Sequence, residues 1–117
     1  MAMTPTDFGT ATPIDGYGPG FFRIGGVVWQ GAVMLCEGRV SPWAGLDDSA
    51  SLTALAEDAD LLLIGMGPEI VHPPAALIET VEGAGLRCET MSSPAAARSY
   101  NVLLSEGRRV AVALIPV

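Results

Sequence analysis

The chain has 117 residues, of which half are hydrophobic and 16% are charged, and this balance predicts one compact domain over residues 1–117. The formal net charge is −7, so nucleic acids and anionic membrane surfaces, which attract basic proteins, are not expected partners. All six basic residues are arginine, and the lack of lysine excludes Schiff-base catalysis, covalent attachment of pyridoxal phosphate and a phosphate-loop lysine.

The N-terminal residues and the two cysteines predict a cellular location. Residues 1–13 are rich in Thr, Ala and Pro and are expected to form a loose arm, with neither the basic residues nor the apolar run of a targeting peptide. No apolar run reaches the roughly twenty residues of a transmembrane helix. Cys36 and Cys88 are far apart and form no CxxC motif, which favours reduced thiols over a disulfide. We therefore expect a cytoplasmic bacterial protein without membrane insertion.

The first third of the chain is predicted to be β-rich and antiparallel. In Asp15–Gly20, four of six residues are glycine or proline, and we expect turns there. Phe21–Ile24 and Val27–Gln30 flank Gly25 and Gly26, which is a hairpin signature with a two-residue turn. Further strands are expected at 32–36 and 40–43.

The second half alternates between strands and helices. Strands are predicted at 61–64, 86–90 and 109–115, and helices at 46–58, from Pro73 to a stop at Gly85, and at 94–106. Successive strands joined by helices imply parallel pairing with right-handed crossovers. Strand 86–90 alternates charged and apolar residues, which favours an edge, whereas the other two are apolar throughout and favour the interior. The predicted order is 86–90, 61–64, 109–115.

The last helix has clear sequence signals at both ends. Ser93 is the expected N-cap, with Pro94 at the first helical position and Gly107 in the left-handed position after the helix. Together these elements predict an α/β fold with three layers. A largely parallel sheet from residues 61–115 carries helices, and an N-terminal antiparallel β-hairpin forms a further layer.

Four stretches resemble a known family: Ile14–Ile24, Leu62–Gly67, Met91 with Ala97–Leu104, and Glu106–Val110 with Ala113–Leu114. They are similar to the small α/β domain family of mitochondrial complex I assembly factor 3 and the adipogenesis-associated Mth-domain protein, which has bacterial and archaeal members of unknown function. The resemblance spans roughly residues 13 to 116. It implies a three-layer α/β fold and, in eukaryotes, a helper role in assembling a respiratory complex.

Few residues predict chemistry. His72 is the single histidine and stands before Pro73 and Pro74 at a helix entry, where it is expected to be a solvated turn residue rather than a base or metal ligand. The run Gly65-Met66-Gly67 follows a strand, but it lacks the GxGxxG pattern of dinucleotide sites. No catalytic residue, metal ligand or cofactor is predicted.

The strand ends suggest one ligand site. Loops 65–72 and 91–93 leave parallel strands at the same edge, and each leads into a helix N-terminus, where backbone N–H groups attract anions. The hypothesis is that this edge binds a small anion or a partner's carboxylate. The alternative is plain packing, with Tyr100 and Leu103 directed inward and Arg98 paired with a local carboxylate. The candidate binding residues are Gly65, Met66, Gly67, Met91, Ser92, Ser93, Arg98, Tyr100 and Asn101.

The predicted function is a non-enzymatic protein-binding or assembly-factor-like module, for which the resemblance makes respiratory-complex subunits candidate partners. The alternative is a small-anion or nucleotide-binding protein, or an enzyme, that uses the crevice at the carboxyl ends of the parallel strands. Self-association by strand pairing of the β-hairpin in the first third of the chain, which has little charge, is a further expectation.

Overall fold

The computed structural model describes residues 6–7 and 12–117. Most of the predicted N-terminal arm, residues 1–5 and 8–11, lies outside the described residues. Thr6 and Asp7 form a two-residue strand, β1, at one edge of the larger sheet.

Nine strands occur within the described residues, and they form two sheets. After β1 they are β2 (Ile14–Gly18), β3 (Phe21–Ile24), β4 (Val27–Gln30), β5 (Val33–Cys36), β6 (Arg39–Pro42), β7 (Leu61–Met66), β8 (Arg87–Met91) and β9 (Val110–Ile115). The larger sheet has the order β1-β6-β5-β9-β7-β8, and the smaller one has the order β2-β3-β4. The helices in the same residues are α1 (Ser49–Ala54), which continues into a 3-10 turn at Leu55–Glu57, α2 (Ala75–Gly83) and α3 (Ser93–Ser105). No helix formed by residues 12–117 is long and apolar enough to cross a membrane.

The predicted three-layer α/β fold is confirmed. The smaller sheet and α3 pack together on one face of the larger sheet, where Phe22, Trp29 and Tyr100 share a core with Leu63 and Val112. Helices α1 and α2 cover the other face. Their buried side chains Leu52, Leu77 and Val81 pack there against Leu62, Ile64 and Ala111. The apolar, non-alternating sequences of β7 and β9 therefore follow from burial on both faces.

The predicted order of the parallel strands is also confirmed. β7 pairs in parallel with β8 on one side and with β9 on the other, so β8 is the terminal strand of the sheet. The place of β5 was not predicted. It joins the larger sheet antiparallel to β9, and its four residues are all buried.

The smaller sheet corrects one prediction. The hairpin of β3 and β4 around Gly25 and Gly26 is confirmed, and both glycines have positive φ. The predicted turns over residues 15–20 are confirmed only at Pro19 and Gly20, where Gly20 has a φ of 80°, and residues 15–18 do not form turns. They belong to β2, which pairs with β3 across an irregularity in register near Gly16. Glycine-rich sequence disfavours a strand locally, but pairing with β3 and burial of Ile14 stabilise this one.

The N-cap of α3 is a second correction. Ser92, not Ser93, is the N-cap: its backbone is extended and its side chain accepts a hydrogen bond from the Ala95 backbone N–H. Ser93 is the first helical residue and is fully buried. The C-terminal prediction is confirmed, because Gly107 has a φ of 77° and its N–H donates to the Leu104 carbonyl, while the Arg108 N–H donates to the Leu103 carbonyl.

Candidate functional site

The loop after β7 and the start of α3 are joined by hydrogen bonds. The Ser93 hydroxyl accepts a bond from the Gly67 N–H at 2.9 Å and donates one to the Ile115 carbonyl at 2.5 Å. The Ser93 N–H donates to the Gly67 carbonyl at 2.7 Å. These contacts bring the predicted residues Gly67 and Ser93 together, and they close the space between the ends of β7 and β9.

Gly65 is part of the same closure. A Cβ atom at position 65 would lie 2.7 Å from the Ser93 hydroxyl and 2.8 Å from the Ser93 Cα. The glycine therefore permits close packing of α3 on β7 rather than the approach of a ligand. The neighbouring Met66 side chain is buried and belongs to the core beneath α1 and α2, on the opposite face of the sheet.

The first turn of α3 has its backbone donors satisfied within the protein. The Ser93 N–H binds Gly67, Pro94 has no N–H, and the Ala95 N–H binds the Ser92 side chain. The next donor, on Ala96, binds the Ser92 carbonyl. Because an anion at a helix N-terminus relies on free N–H groups, a ligand at this point would have to break internal hydrogen bonds.

Tyr100 and Asn101 contact other parts of the molecule. Tyr100 is fully buried in the core beneath the smaller sheet, and this burial raises the pKa of its hydroxyl. The Asn101 side chain accepts a hydrogen bond from the Ile14 N–H at 2.8 Å and donates one to the Ile14 carbonyl at 2.9 Å. Asn101 therefore fastens the start of β2 to α3 and does not face the strand ends.

Met91 and Arg98 contribute to an open groove between β8 and α3. Its volume is about 490 Å³. Apolar side chains form most of its wall, and charged groups stand beside them. The lining residues are Leu61, Leu63, Glu89, Met91, Arg98, Ser99, Val102, Leu103 and Arg108.

Several groove residues were missed in the sequence analysis. Ser99, Val102 and Leu103 lie one, four and five positions after Arg98, and this spacing on a helix places them on one side. Val102 is 55% exposed, but this exposure is a property of the structure and was not a signal in the sequence. Arg108, which follows Gly107 after the end of α3, was not among the candidate binding residues either. Arg108 lines the same groove as Arg98 and Glu89 because of the way α3 packs against the sheet.

The two arginines of this β8–α3 groove form no ion pair within the described residues, unlike Arg39 and Arg109. Two ion pairs occur among the described residues, Arg39–Asp58 at 2.8 Å and Arg109–Asp60 at 3.9 Å. Arg98 and Arg108 join neither of them, and both are exposed. The groove thus combines an apolar wall with two accessible guanidinium groups, and Glu89 is the single carboxylate among its lining residues.

A second cavity, of about 390 Å³, lies between β5 and α1 and is lined by Met34, Cys36, Ser51 and Leu55. At its rim, the Arg39 guanidinium is already bound to Asp58. This cavity consequently presents no free cation to a ligand, and the β8–α3 groove is the stronger candidate site.

The free edge of β8 borders the β8–α3 groove. The Cys88 N–H points away from β7 and donates a long hydrogen bond of 3.4 Å to the Glu82 carboxylate. Burial, with a smaller contribution from the charge of Glu82, raises the pKa of the Cys88 thiol to about 11. This thiol is therefore neutral near pH 7 and lacks the thiolate character of a catalytic cysteine.

Comparison with known proteins gives a family without an assigned activity. The family model described as a protein of unknown function (DUF498/DUF598) matches residues 14–115. An uncharacterized protein of Rhodobacter capsulatus is 53% identical over 117 residues, which cover 100% of this chain and 94% of that protein.

Solved structures with the same fold are also known. An outer membrane protein from Bartonella henselae is similar with a TM-score of 0.82 and 31% identity, over 92% of this chain and 97% of that one. A Bordetella pertussis protein with a Mth938-like domain has a TM-score of 0.76 and 27% identity, over 99% of this chain and 92% of its own.

Proposed function

This chain belongs to the DUF498/DUF598 family of proteins of unknown function, and from this premise we propose that it is a non-enzymatic protein-binding module. The observation that carries the proposal is the β8–α3 groove, whose apolar wall stands beside the unpaired Arg98 and Arg108. Arginine is among the residues that dominate binding hot spots, and methionine and arginine are both enriched at protein–protein interfaces.

The chemistry of the groove suggests the kind of partner. An apolar side chain would fill the space over Leu63, Met91 and Leu103, and a neighbouring Asp or Glu would reach Arg98 or Arg108. We therefore propose a partner segment that carries an apolar residue next to a carboxylate. The resemblance to complex I assembly factor 3 makes a respiratory-complex subunit the leading candidate. The same proposal includes that this protein binds that subunit in the cytoplasm.

A small-anion or nucleotide-binding protein is the alternative function. One observation favours it, namely that two arginines without an internal carboxylate partner border one groove. Such a ligand would bind at Arg98 and Arg108 rather than at the start of α3, where the backbone donors are occupied. Calorimetric titration with inorganic phosphate, acetate and nucleotides distinguishes the two functions, because the protein-binding proposal expects no heat of binding from any of them.

The decisive experiment is affinity capture with cross-linking from the native cells, with three forms of the protein as bait. We expect the wild type and R23E to capture the same partner, and R98E to lose it. Arg23 is exposed on β3, outside the groove, so R23E is a control with the same change of charge. Equal capture by R98E, or no partner with any bait, contradicts the proposal.

A further inference from the structure

The outer edge of β8 has backbone groups that no strand of the described residues pairs with. β8 is the last strand of the larger sheet, and the Cys88 N–H, directed away from β7, donates its hydrogen bond to the Glu82 side chain at 3.4 Å. Since the direction of the N–H and C=O groups alternates along a strand, those of Thr90 are directed the same way. This edge is therefore a template for one more strand.

The side chains beside this edge have a charge pattern that is complementary to itself. Arg87 and Glu89 are both exposed and lie on the same face of the sheet, at equal distances along the strand from Cys88. Neither takes part in the two ion pairs of the described residues. An antiparallel copy of β8, centred on Cys88, would place Arg87 opposite Glu89 of the second copy, and Glu89 opposite Arg87.

We propose that β8 pairs antiparallel with β8 of a second copy of this chain, about a two-fold axis at Cys88. The two Cys88 residues exchange backbone hydrogen bonds, and the Glu82 carboxylate gives up its long bond and turns to solvent. Two cross-strand Arg87–Glu89 pairs fix the register, because a shift by two residues would remove both pairs and place two arginines or two glutamates opposite each other. The contact is isologous and closes, so it produces a dimer and not a filament.

The dimer has a consequence for the groove. A two-fold axis between antiparallel edge strands is perpendicular to the sheet, so α3 of both copies lies on the same side. The two β8–α3 grooves therefore stand next to each other on one surface. The inference itself does not require the groove to bind anything.

Analytical ultracentrifugation of the wild type, R87E, E89R and the double variant R87E/E89R tests the pairing. We use about 0.15 M salt, which limits the repulsion between two acidic chains. The wild type should be a dimer in a concentration-dependent equilibrium. Each single variant should dimerise at least about tenfold more weakly, because symmetry places two like-charged pairs in the interface. The double variant exchanges the charges and should regain wild-type association.

A second measurement locates the contact. A short bismaleimide cross-linker should join two wild-type chains through Cys88 and should not join C88A chains, whereas C36A should behave like the wild type. Both altered charges are exposed, and circular dichroism verifies that each variant is folded. A monomeric wild type, or a dimer that both single reversals leave unchanged, overturns the proposal and leaves the edge to a strand of another protein.

Discussion

The hydroxyl of Ser93 connects three segments that are distant in the sequence. It accepts a bond from Gly67 after β7 and donates one to Ile115 at the end of β9, and it is fully buried at the start of α3. A buried hydroxyl is stable only when such bonds are made, and here it also satisfies two backbone groups where strands end. Gly65 contributes by leaving room for this contact.

At the residue scale, we predict that S93A destabilises the protein more than S92A. Removing the Ser93 hydroxyl leaves the Gly67 N–H and the Ile115 carbonyl without their hydrogen-bond partner. Each of these groups that stays unsatisfied lowers the free energy of unfolding by roughly 1–3 kcal/mol. S92A removes a single capping bond, which is worth about 1 kcal/mol. Urea unfolding of both variants measures the difference. Equal losses, or a greater loss for S92A, would show that Ser93 is not the central contact.

At the scale of elements, α1 depends on a capping carboxylate. Asp48 accepts hydrogen bonds from the Ser51 N–H at 3.1 Å and from the Ser51 hydroxyl at 2.7 Å. The bond from the Ser51 hydroxyl is the largest cause of a lowered Asp48 pKa, followed by the backbone bond. α1 has only six residues, and such a short helix needs its cap and its packing against the sheet.

We predict that D48A lowers the free energy of unfolding by about 1 kcal/mol at pH 7. Because the folded pKa is below the unfolded value of about 3.9, the stabilisation is complete above that pH and is lost as the pH falls through the folded pKa. The difference between wild type and D48A should thus shrink in acid. Denaturant unfolding between neutral and acidic pH measures it. D47A, which changes the exposed neighbour, is the control, and a gap that widens in acid would contradict the capping role.

At the scale of the whole molecule, the three layers place the two thiols in different environments. Cys36 lies on β5 in the centre of the larger sheet and is 3% exposed, while Cys88 lies half-buried at the sheet edge. Burial is the main cause that raises the pKa of each thiol to about 11. Their accessibility differs, although their acidity is similar.

We predict that iodoacetamide at pH 8 alkylates Cys88 slowly and leaves Cys36 unmodified in the native protein. The thiolate is the reactive form, so the rate at Cys88 should rise as the pH approaches 11. Intact-mass analysis with and without urea measures this, and urea should make both thiols react alike. Native labelling of Cys36 at the rate of Cys88 would mean that the layers over β5 open easily.

The helices and strands were predictable where local signals and burial agree. Gly85 and Gly107 end helices α2 and α3 with positive φ, and Gly25 with Gly26 forms the hairpin turn, because few other residues adopt that backbone. The alternation of the exposed Arg87 and Glu89 with the half-buried Cys88 and Thr90 correctly predicted the edge position of β8. The candidate site was less predictable. Tyr100 and Met66 pack in the core, and Asn101 binds the backbone of Ile14. The groove is lined by residues from separate segments, which no local sequence pattern brings together.

The sequence by itself determined the α/β class, the parallel order β8-β7-β9 and the lack of lysine chemistry, since these follow from composition, periodicity and turn residues that act over a few positions. Only the tertiary structure decided that β5 pairs with β9, that Ser93 is buried while Ser92 caps α3, and that Arg98 and Arg108 border one groove. These features depend on contacts between segments far apart in the chain, and their free energy is gained only when the layers pack together.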